Sequence, residues 1–120
     1  MSRPAGENRR RTPRVRAANL VNYSTRDATG VYAVLGSATT VDISETGLRL
    51  RTKESLLLGA ILDLELKLGG EVFKLEGRIV WGEEVEPDAR YDFGVRFTSV
   101  PQRALETLRV FVSVKRVPEE

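Results

Sequence analysis

The feature that most constrains the fold is an alternation of apolar and charged residues that is strict before a glycine pair and less regular after it. Within Ile61–Leu68 every second residue from 62 onward is leucine, and the residues between are charged. Gly69-Gly70 follows, and a second alternating run extends over Val72–Trp81. Successive side chains of a β-strand point to opposite faces, and a glycine pair suits a two-residue turn. The stretch predicts an antiparallel hairpin with one buried face, whose buried row ends at Trp81.

Segments with β-type patterning occur along most of the chain. The predicted strands cover 15–24, 39–43, 48–52, 61–68, 72–81 and 91–97, and 31–35 is either a short strand or part of an inserted connection. Gly36-Ser37 is expected to break the chain there, Gly82–Arg90 to form an acidic loop, and Asp92 to lie on the face opposite Phe93. Inward aliphatic residues on nearly every strand favour a small closed barrel, because closure removes exposed strand edges.

The C-terminal segment has the periodicity of an amphipathic helix. Apolar residues at 105, 108, 111 and 112 form a single stripe. Ser99 is predicted as the N-cap, Pro101 suits the first turn, and Pro118 ends the helix. The sequence therefore predicts a mainly β fold, an antiparallel barrel with one helix covering an end or a side.

Cysteine and histidine are both absent from the 120 residues. Disulfides and thiolate metal sites are excluded, and the commonest general base and metal ligand are missing. We therefore expect no enzymatic activity, no cofactor and no metal site, and we interpret the carboxylates within 83–88 as solvated loop residues. The absence of a signal sequence and of a membrane-length apolar run predicts a cytoplasmic protein that is not inserted in a membrane.

Positive charge is concentrated near the N-terminus. Residues 1–20 contain six arginines and one glutamate, a net charge of +5, while the other residues hold 13 basic and 16 acidic side chains, a net charge of −3. The cluster Arg9–Arg14 contains no lysine, and only arginine presents a planar fork that grips a phosphate or the O6/N7 edge of guanine. Such an arm indicates an anionic, phosphate-bearing partner. Taken alone, the cluster has a simpler interpretation as a solvated tail or a nucleic-acid arm.

A second polar stretch, 41–50, combines strand-type residues with a tight turn. Asp42 and Ser44 are two residues apart and share one face of an extended chain. Gly47 falls where the chain reverses, and glycine adopts a positive φ without steric cost. Taken alone, the stretch is a turn whose Asp and Ser bond neighbouring backbone groups. The functional alternative is a site in which the carboxylate accepts guanine N–H groups, the hydroxyl contacts base or phosphate, and the glycine lets a ligand approach.

Together, the two motifs resemble the signature of the PilZ domain family. That signature is an RxxxR motif followed some tens of residues later by [D/N]xSxxG. Arg10–Arg14 and Asp42–Gly47 match both parts, and Arg9 gives the fuller RRxxxR form. The stretches 77–81 and 91–97 are also similar to the family, so the resemblance covers roughly residues 9–115. Residues 25–37 depart from it, since they are longer than a minimal connection between the first two strands.

The resemblance implies a six-stranded antiparallel β-barrel of the split-barrel type, with a C-terminal helix and a flexible N-terminal arm. It also implies binding of the bacterial second messenger cyclic di-GMP. The ligand-binding residues implied are Arg9, Arg10, Arg14, Asp42, Ser44 and Gly47. The arginines would hold guanine edges and phosphates, the Asp and Ser would contact the ligand from the barrel face, and the glycine would shape the turn. The ligand would bridge the arm to the barrel and reorder the arm, which would signal to a downstream protein partner.

The expected organisation is a disordered segment 1–8, one domain over 9–116 that includes the arginine arm and the helix, and a tail at 117–120. Two alternatives to a cyclic di-GMP receptor stay open. A PilZ-like adaptor would bind proteins without nucleotide. A nucleic-acid-binding barrel would need a basic body with surface aromatics, whereas this body is acidic, so we expect no nucleic-acid polymer as a partner. Trp81 is interpreted as a core or rim residue, and stacking on guanine is the less favoured alternative.

Overall fold

The computed structural model of the chain describes residues 13–27, 29–30, 32–85 and 89–115. The expectations for 1–8, Arg9, Arg10, Pro118 and the tail at 117–120 lie outside these ranges, as do 86–88 of the acidic stretch. No helix in the described part of the chain is long and apolar enough to cross a membrane.

Seven antiparallel strands and one helix make up the described fold. They are β1 (Val15–Arg16), β2 (Leu20–Arg26), β3 (Tyr32–Ile43), β4 (Gly47–Thr52), β5 (Ile61–Leu68), β6 (Glu71–Val85), β7 (Arg90–Ser99) and α1 (Gln102–Lys115). The strands run in the order β3-β2-β5-β6-β7-β4, and pairing of β4 with β3 closes them into a six-stranded barrel. The short β1 lies outside it and pairs with the end of β3. The predicted barrel with a C-terminal helix is confirmed.

The hairpin at the centre of the pattern forms as predicted. Gly69 and Gly70 both adopt positive φ, 55° and 86°, and join β5 to β6 with Leu68 opposite Glu71. Positive φ at both central residues is the geometry of the tight turn that suits twisted antiparallel strands. The leucine row of β5 is at most 2% exposed and lies in the core. On α1 the buried residues are Ala104, Leu108 and Val112, which cover the core with one helical face.

Two predicted breaks were wrong, because the glycines there make room for aromatic rings within continuous strands. Gly36 lies in the middle of β3, and a Cβ atom on it would be 2.5 Å from the hydroxyl oxygen of Tyr23 on β2. Gly82 lies against the Phe93 ring, and β6 continues through it to Val85. A glycine inside a strand often marks such a close approach.

The predicted ends of two further elements also differ from the structure. The single strand expected at 15–24 is divided into β1 and β2 by residues 17–19. Ser99 is the last residue of β7 and not a helix cap. The helix begins after Pro101, whose carbonyl accepts the backbone N–H of Leu105 at 3.0 Å.

A β-bulge in β6 moves Trp81 to the outside of the barrel. Ile79 pairs with Val95, but Trp81 pairs with Gly94, so that Val80 is an extra residue on β6. One extra residue reverses the facing of everything after it, because side chains alternate along a strand. Trp81 is 40% exposed, and the interpretation of it as the end of the buried row was wrong. Its indole covers Gly94, where any Cβ atom would overlap the ring.

Asp92 lies on the outer face of β7, yet its side chain is inaccessible because two guanidinium groups cover it. Arg51 donates to both carboxylate oxygens, at 2.7 and 2.8 Å, and Arg49 donates from Nε at 2.8 Å. Both arginines belong to β4, so the cluster ties β4 to β7. Burial alone would raise the pKa of Asp92, but the hydrogen bonds from Arg51 and Arg49 outweigh it and hold the pKa below the ordinary value.

We predict that Asp92→Asn lowers the free energy of unfolding by about 2 kcal/mol at pH 7. A carboxylate whose pKa is lowered by folding stabilises the protein above its unfolded pKa, and that stabilisation disappears as the pH falls through the folded pKa. The difference between wild type and variant should therefore shrink below about pH 4. Urea unfolding between pH 7 and pH 3 measures it.

Glu65→Gln is the matched control, because Glu65 is an exposed carboxylate on β5. We expect it to change stability by less than about 0.5 kcal/mol at every pH. A loss of unfolding free energy for Asp92→Asn that stays constant from pH 7 to pH 3, or no loss at pH 7, would contradict the conclusion that the ionised Asp92 carboxylate stabilises the fold.

Candidate ligand-binding groove

An open groove of about 970 Å³ lies on the outer side of β4, β6 and β7. It extends from the end of β3 to the start of α1. Its polar and aromatic lining comes from four strands, from the residue before β1 and from the turn between β3 and β4. It includes Arg14, Asp42, Thr46, Arg49, Trp81 and Arg96. Apolar walls are provided by Val100 and Leu105, beside the helix start.

Arg14 and Asp42 form an ion pair at one end of the groove. β1 pairs with β3 so that Arg16 lies opposite Asp42, which brings the residues just before β1 close to the same carboxylate. Nε of Arg14 donates to Oδ1 of Asp42 at 2.8 Å, and Nη2 of Arg14 lies 2.7 Å from the same oxygen. The two side chains keep 45% and 22% of their surface exposed. Both groups are therefore accessible to a molecule in the groove.

Ser44 is fully buried and organises the turn between β3 and β4. Its hydroxyl accepts the backbone N–H groups of Thr46 and Gly47, both at 3.2 Å, and donates to the carbonyl of Gly47 at 3.1 Å. Its own backbone N–H donates to the same carbonyl at 2.8 Å. Nη1 of Arg14 lies 3.4 Å from the hydroxyl, so Ser44 also helps to orient that guanidinium.

Gly47 is the first residue of β4, and its φ is not positive. A Cβ atom there would overlap the carbonyl oxygen of Val95 on the neighbouring β7. The backbone N–H of Phe97 donates to the carbonyl of Thr46 at 2.8 Å. This hydrogen bond extends the close contact between the turn and β7. Glycine is therefore needed at this position because two strands approach closely. The left-handed conformation that the turn pattern predicts is not adopted.

Arg49 and Trp81 form the opposite side of the groove. The strand register puts Asp42, Arg49, Gly94 and Trp81 in one row across β3, β4, β7 and β6. Cζ of Arg49 lies 5.2 Å from the centroid of the Trp81 ring, which is the geometry of a cation–π contact. Arg49 also donates from Nη2 to Glu83 at 3.1 Å.

Arg96 adds a further exposed cation to the groove. It lies opposite Gly47 on β4 and opposite Arg78 on β6. Its side chain makes no hydrogen bond or ion pair within the described ranges. The groove thus combines guanidinium groups, the accessible carboxylates of Asp42 and Glu45, and a flat aromatic ring. This set suits a ligand with phosphates and planar heterocycles.

The structure brings four of the six predicted site residues together. Arg14 and Asp42 line the groove, and Ser44 and Gly47 build the turn beneath it. The other two, Arg9 and Arg10, lie outside the described residues. The sequence patterns did not predict Arg49, Trp81 and Arg96 as groove residues. Gly94 is the sequence feature that points to these groove residues, because a glycine inside a strand often marks the close approach of another group.

The helix α1 is connected to the same turn. Nε of Arg109 lies 3.1 Å from Oε1 of Glu45, which is the residue after Ser44. Leu105 of the helix lines the groove directly. A change in the turn would therefore reach the helix through one ion pair and one apolar contact.

A second cavity, of about 470 Å³, lies beside the loop between β4 and β5. Leu57 and Leu58 of that loop are 80% and 67% exposed, and the cavity lining is mostly aliphatic. It offers few groups for recognising an anion. Among the described residues, no group of three or more His, Cys, Asp or Glu side chains could hold a metal ion.

Comparison with known structures identifies proteins with the same barrel. The Bacillus subtilis inhibitor of motility MotI/DgrA superimposes with a TM-score of 0.71 over 95% of this chain, at 13% identity. The chain spans 52% of that protein, about half its length. The PilZ domain of YcgR from Escherichia coli, solved with cyclic di-GMP, gives a TM-score of 0.62 at 20% identity and covers 90% of this chain and 92% of its own. The MrkH–cyclic di-GMP complex of K. pneumonia gives 0.59 at 17% identity, covering 86% of this chain and 50% of its own.

These identities are low, so the structural matches establish the fold. No curated protein matches the sequence significantly. The family model of the PilZ domain matches residues 8–113, which is nearly the whole chain and includes both motifs. With a closed six-stranded barrel, and with Arg14 and the Asp42–Gly47 motif adjoining one groove, the chain belongs to the PilZ domain family.

Proposed function

We propose that the groove binds cyclic di-GMP and that the chain acts as a receptor for this second messenger. The observation that carries the proposal is the cluster of Arg14, Asp42 and Ser44, which faces Trp81 across one groove. Membership of the PilZ family and the cyclic di-GMP complexes among the structural neighbours support it.

The groups in the groove match the chemistry of the ligand. Cyclic di-GMP carries two phosphates and two guanines. The guanidinium of Arg14 can donate two parallel hydrogen bonds to a phosphate or to the O6/N7 edge of a guanine. Asp42 is acceptor-only when ionised, which suits the N1–H and N2–H donors of guanine. Trp81, exposed on the outer face, offers a surface for base stacking.

Ligand binding would draw on the arm that precedes Pro13. Arg9 and Arg10 would supply the remaining contacts to guanine and phosphate, while Arg14 is oriented by Asp42 and Ser44. Ser44 and Gly47 would act by holding the turn in shape. Ordering of the arm over the groove would create a new surface for a downstream protein, a disorder-to-order switch. We assign no catalytic role, and we place the receptor in the cytoplasm, in keeping with a chain that has no cysteine.

We expect calorimetric titration of the full chain with cyclic di-GMP to show saturable binding that Arg14→Ala weakens by about tenfold or more. The reason is loss of a two-point guanidinium contact. Arg14→Lys should recover only part of the loss, because lysine keeps the charge but lacks the planar fork.

Arg90→Ala is the control for net charge. Arg90 is an exposed arginine on β7 and is not part of the groove. Its side chain has no hydrogen-bond or ion-pair partner within the described ranges. It should leave the affinity within about twofold of wild type. Absence of wild-type binding, or equal affinities for wild type and Arg14→Ala, would refute the proposed function.

A second prediction uses Trp81, the only tryptophan of the chain. Because it lies in the groove, cyclic di-GMP should change its fluorescence and protect it from quenching by iodide. Trp81→Ala should weaken binding by about 5- to 100-fold, the range that stacking of one base on an aromatic ring contributes. Binding that calorimetry detects, but that leaves both the emission and the affinity of Trp81→Ala unchanged, would place the ligand elsewhere.

A further inference from the structure

Arg49 is a groove cation that is held by a buried carboxylate, and no part of the motif signature includes it. Its Nε is bonded to the inaccessible carboxylate of Asp92, and its Cζ lies over Trp81. Its side chain keeps 31% of its surface exposed. A guanidinium that is held by a buried anion and is still exposed to a groove can bind a ligand with little further loss of side-chain entropy.

We propose that Arg49 binds a phosphate of the cyclic dinucleotide and that Asp92 is the positioning residue that holds it there. This inference rests on the proposed function. Arg49 on β4 is the register partner of Asp42, and Arg14 approaches the same carboxylate from the β1 side of β3, so the two arginines flank one carboxylate. Two separated cations match a ligand that has two phosphates.

Arg51 also binds Asp92, but it uses two nitrogens for that carboxylate and it does not line the groove. It commits Nε and Nη2 to Asp92, whereas Arg49 gives Asp92 only its Nε. Its register partners are Thr39 and Asp92, and it is not part of the groove lining. Arg51 thus serves as an internal control, since its loss disturbs the same carboxylate without removing a groove cation.

Glu83 occupies the remaining bonded position of Arg49. The Nη2 contact is 3.1 Å long, and the carboxylate is 58% exposed. Exposed pairs of this kind contribute little to stability, so a phosphate can take the place of Glu83 at small cost. Glu83 also repels a phosphate that approaches. Its removal should therefore favour the ligand, which a purely structural role for Arg49 does not predict.

The test is calorimetric titration of the full chain with cyclic di-GMP at one ionic strength, alongside thermal unfolding of each variant. Arg49→Ala should weaken binding by about tenfold or more, and Arg51→Ala by no more than about threefold. Both should lower the melting temperature. Glu83→Gln should bind about two- to threefold more tightly, because an exposed competing charge is lost.

The positioning role of Asp92 is tested by a double-mutant cycle. Asp92→Asn should weaken binding in the wild-type background but cause no further loss in the Arg49→Ala background, because its effect passes through Arg49. Additive losses would show that Asp92 acts by another route. If Arg49→Ala does not fold, Arg49→Lys and Glu83→Gln carry the same test on folded protein.

The outcomes separate this inference from the proposed function. Wild-type protein that does not bind cyclic di-GMP would overturn both. Wild-type binding with Arg49→Ala and Arg51→Ala weakened equally, or with Arg49→Ala unchanged, would overturn the inference alone. Weaker binding by Glu83→Gln would also contradict it.

Discussion

Closure of the barrel by β4 is the constraint on which the rest of the structure depends. β4 is held on one edge by β3 and on the other by β7, and it enters the sheet at Gly47, where the Val95 carbonyl leaves no room for a side chain. Without this strand the barrel would be open between β3 and β7, and Asp42 on β3 would not be joined to Trp81 on β6 through β4 and β7. Closure aligns them with Arg49 and Gly94 in one row and so creates the groove. The Asp92 cluster, which ties β4 to β7, stabilises the same junction.

The DxSxxG motif divides into residues that face the groove and residues that build it. Asp42 is accessible and paired with Arg14, whereas Ser44 is buried and its hydroxyl is used by three backbone groups of the turn. Gly47 is required by the contact with β7. The spacing of the motif thus reflects the geometry of a strand end, a turn and a strand start, in addition to any contact with a ligand. The Glu45–Arg109 pair extends this unit to the helix, so the turn, the groove and α1 are mechanically connected.

Alternation predicted most of the barrel because each strand buries one face. It failed where the pattern depends on contacts between distant residues. The bulge at Val80 turned Trp81 outward, at the place where three apolar residues in a row interrupt the alternation. Gly36 and Gly82 resembled breaks, but they accommodate rings from other strands. Asp92 alternates correctly onto the outer face, yet only the pairing of β4 with β7 explains why it is inaccessible. Arg14, Asp42, Ser44 and Gly47 were found through the resemblance, while Arg49 required the strand register.

The most direct test of the account is a map of amide chemical shifts of the labelled full chain during titration with cyclic di-GMP. A ligand in the groove should shift the backbone amides of Thr46, Gly47 and Gly94 and the indole N–H of Trp81. The amides of Gly59, Gly69 and Gly70, in loops outside the groove, should stay unchanged. Shifts centred on Gly59 and the exposed leucines beside it, with Gly47 and Trp81 unaffected, would contradict the assignment of the groove as the ligand site.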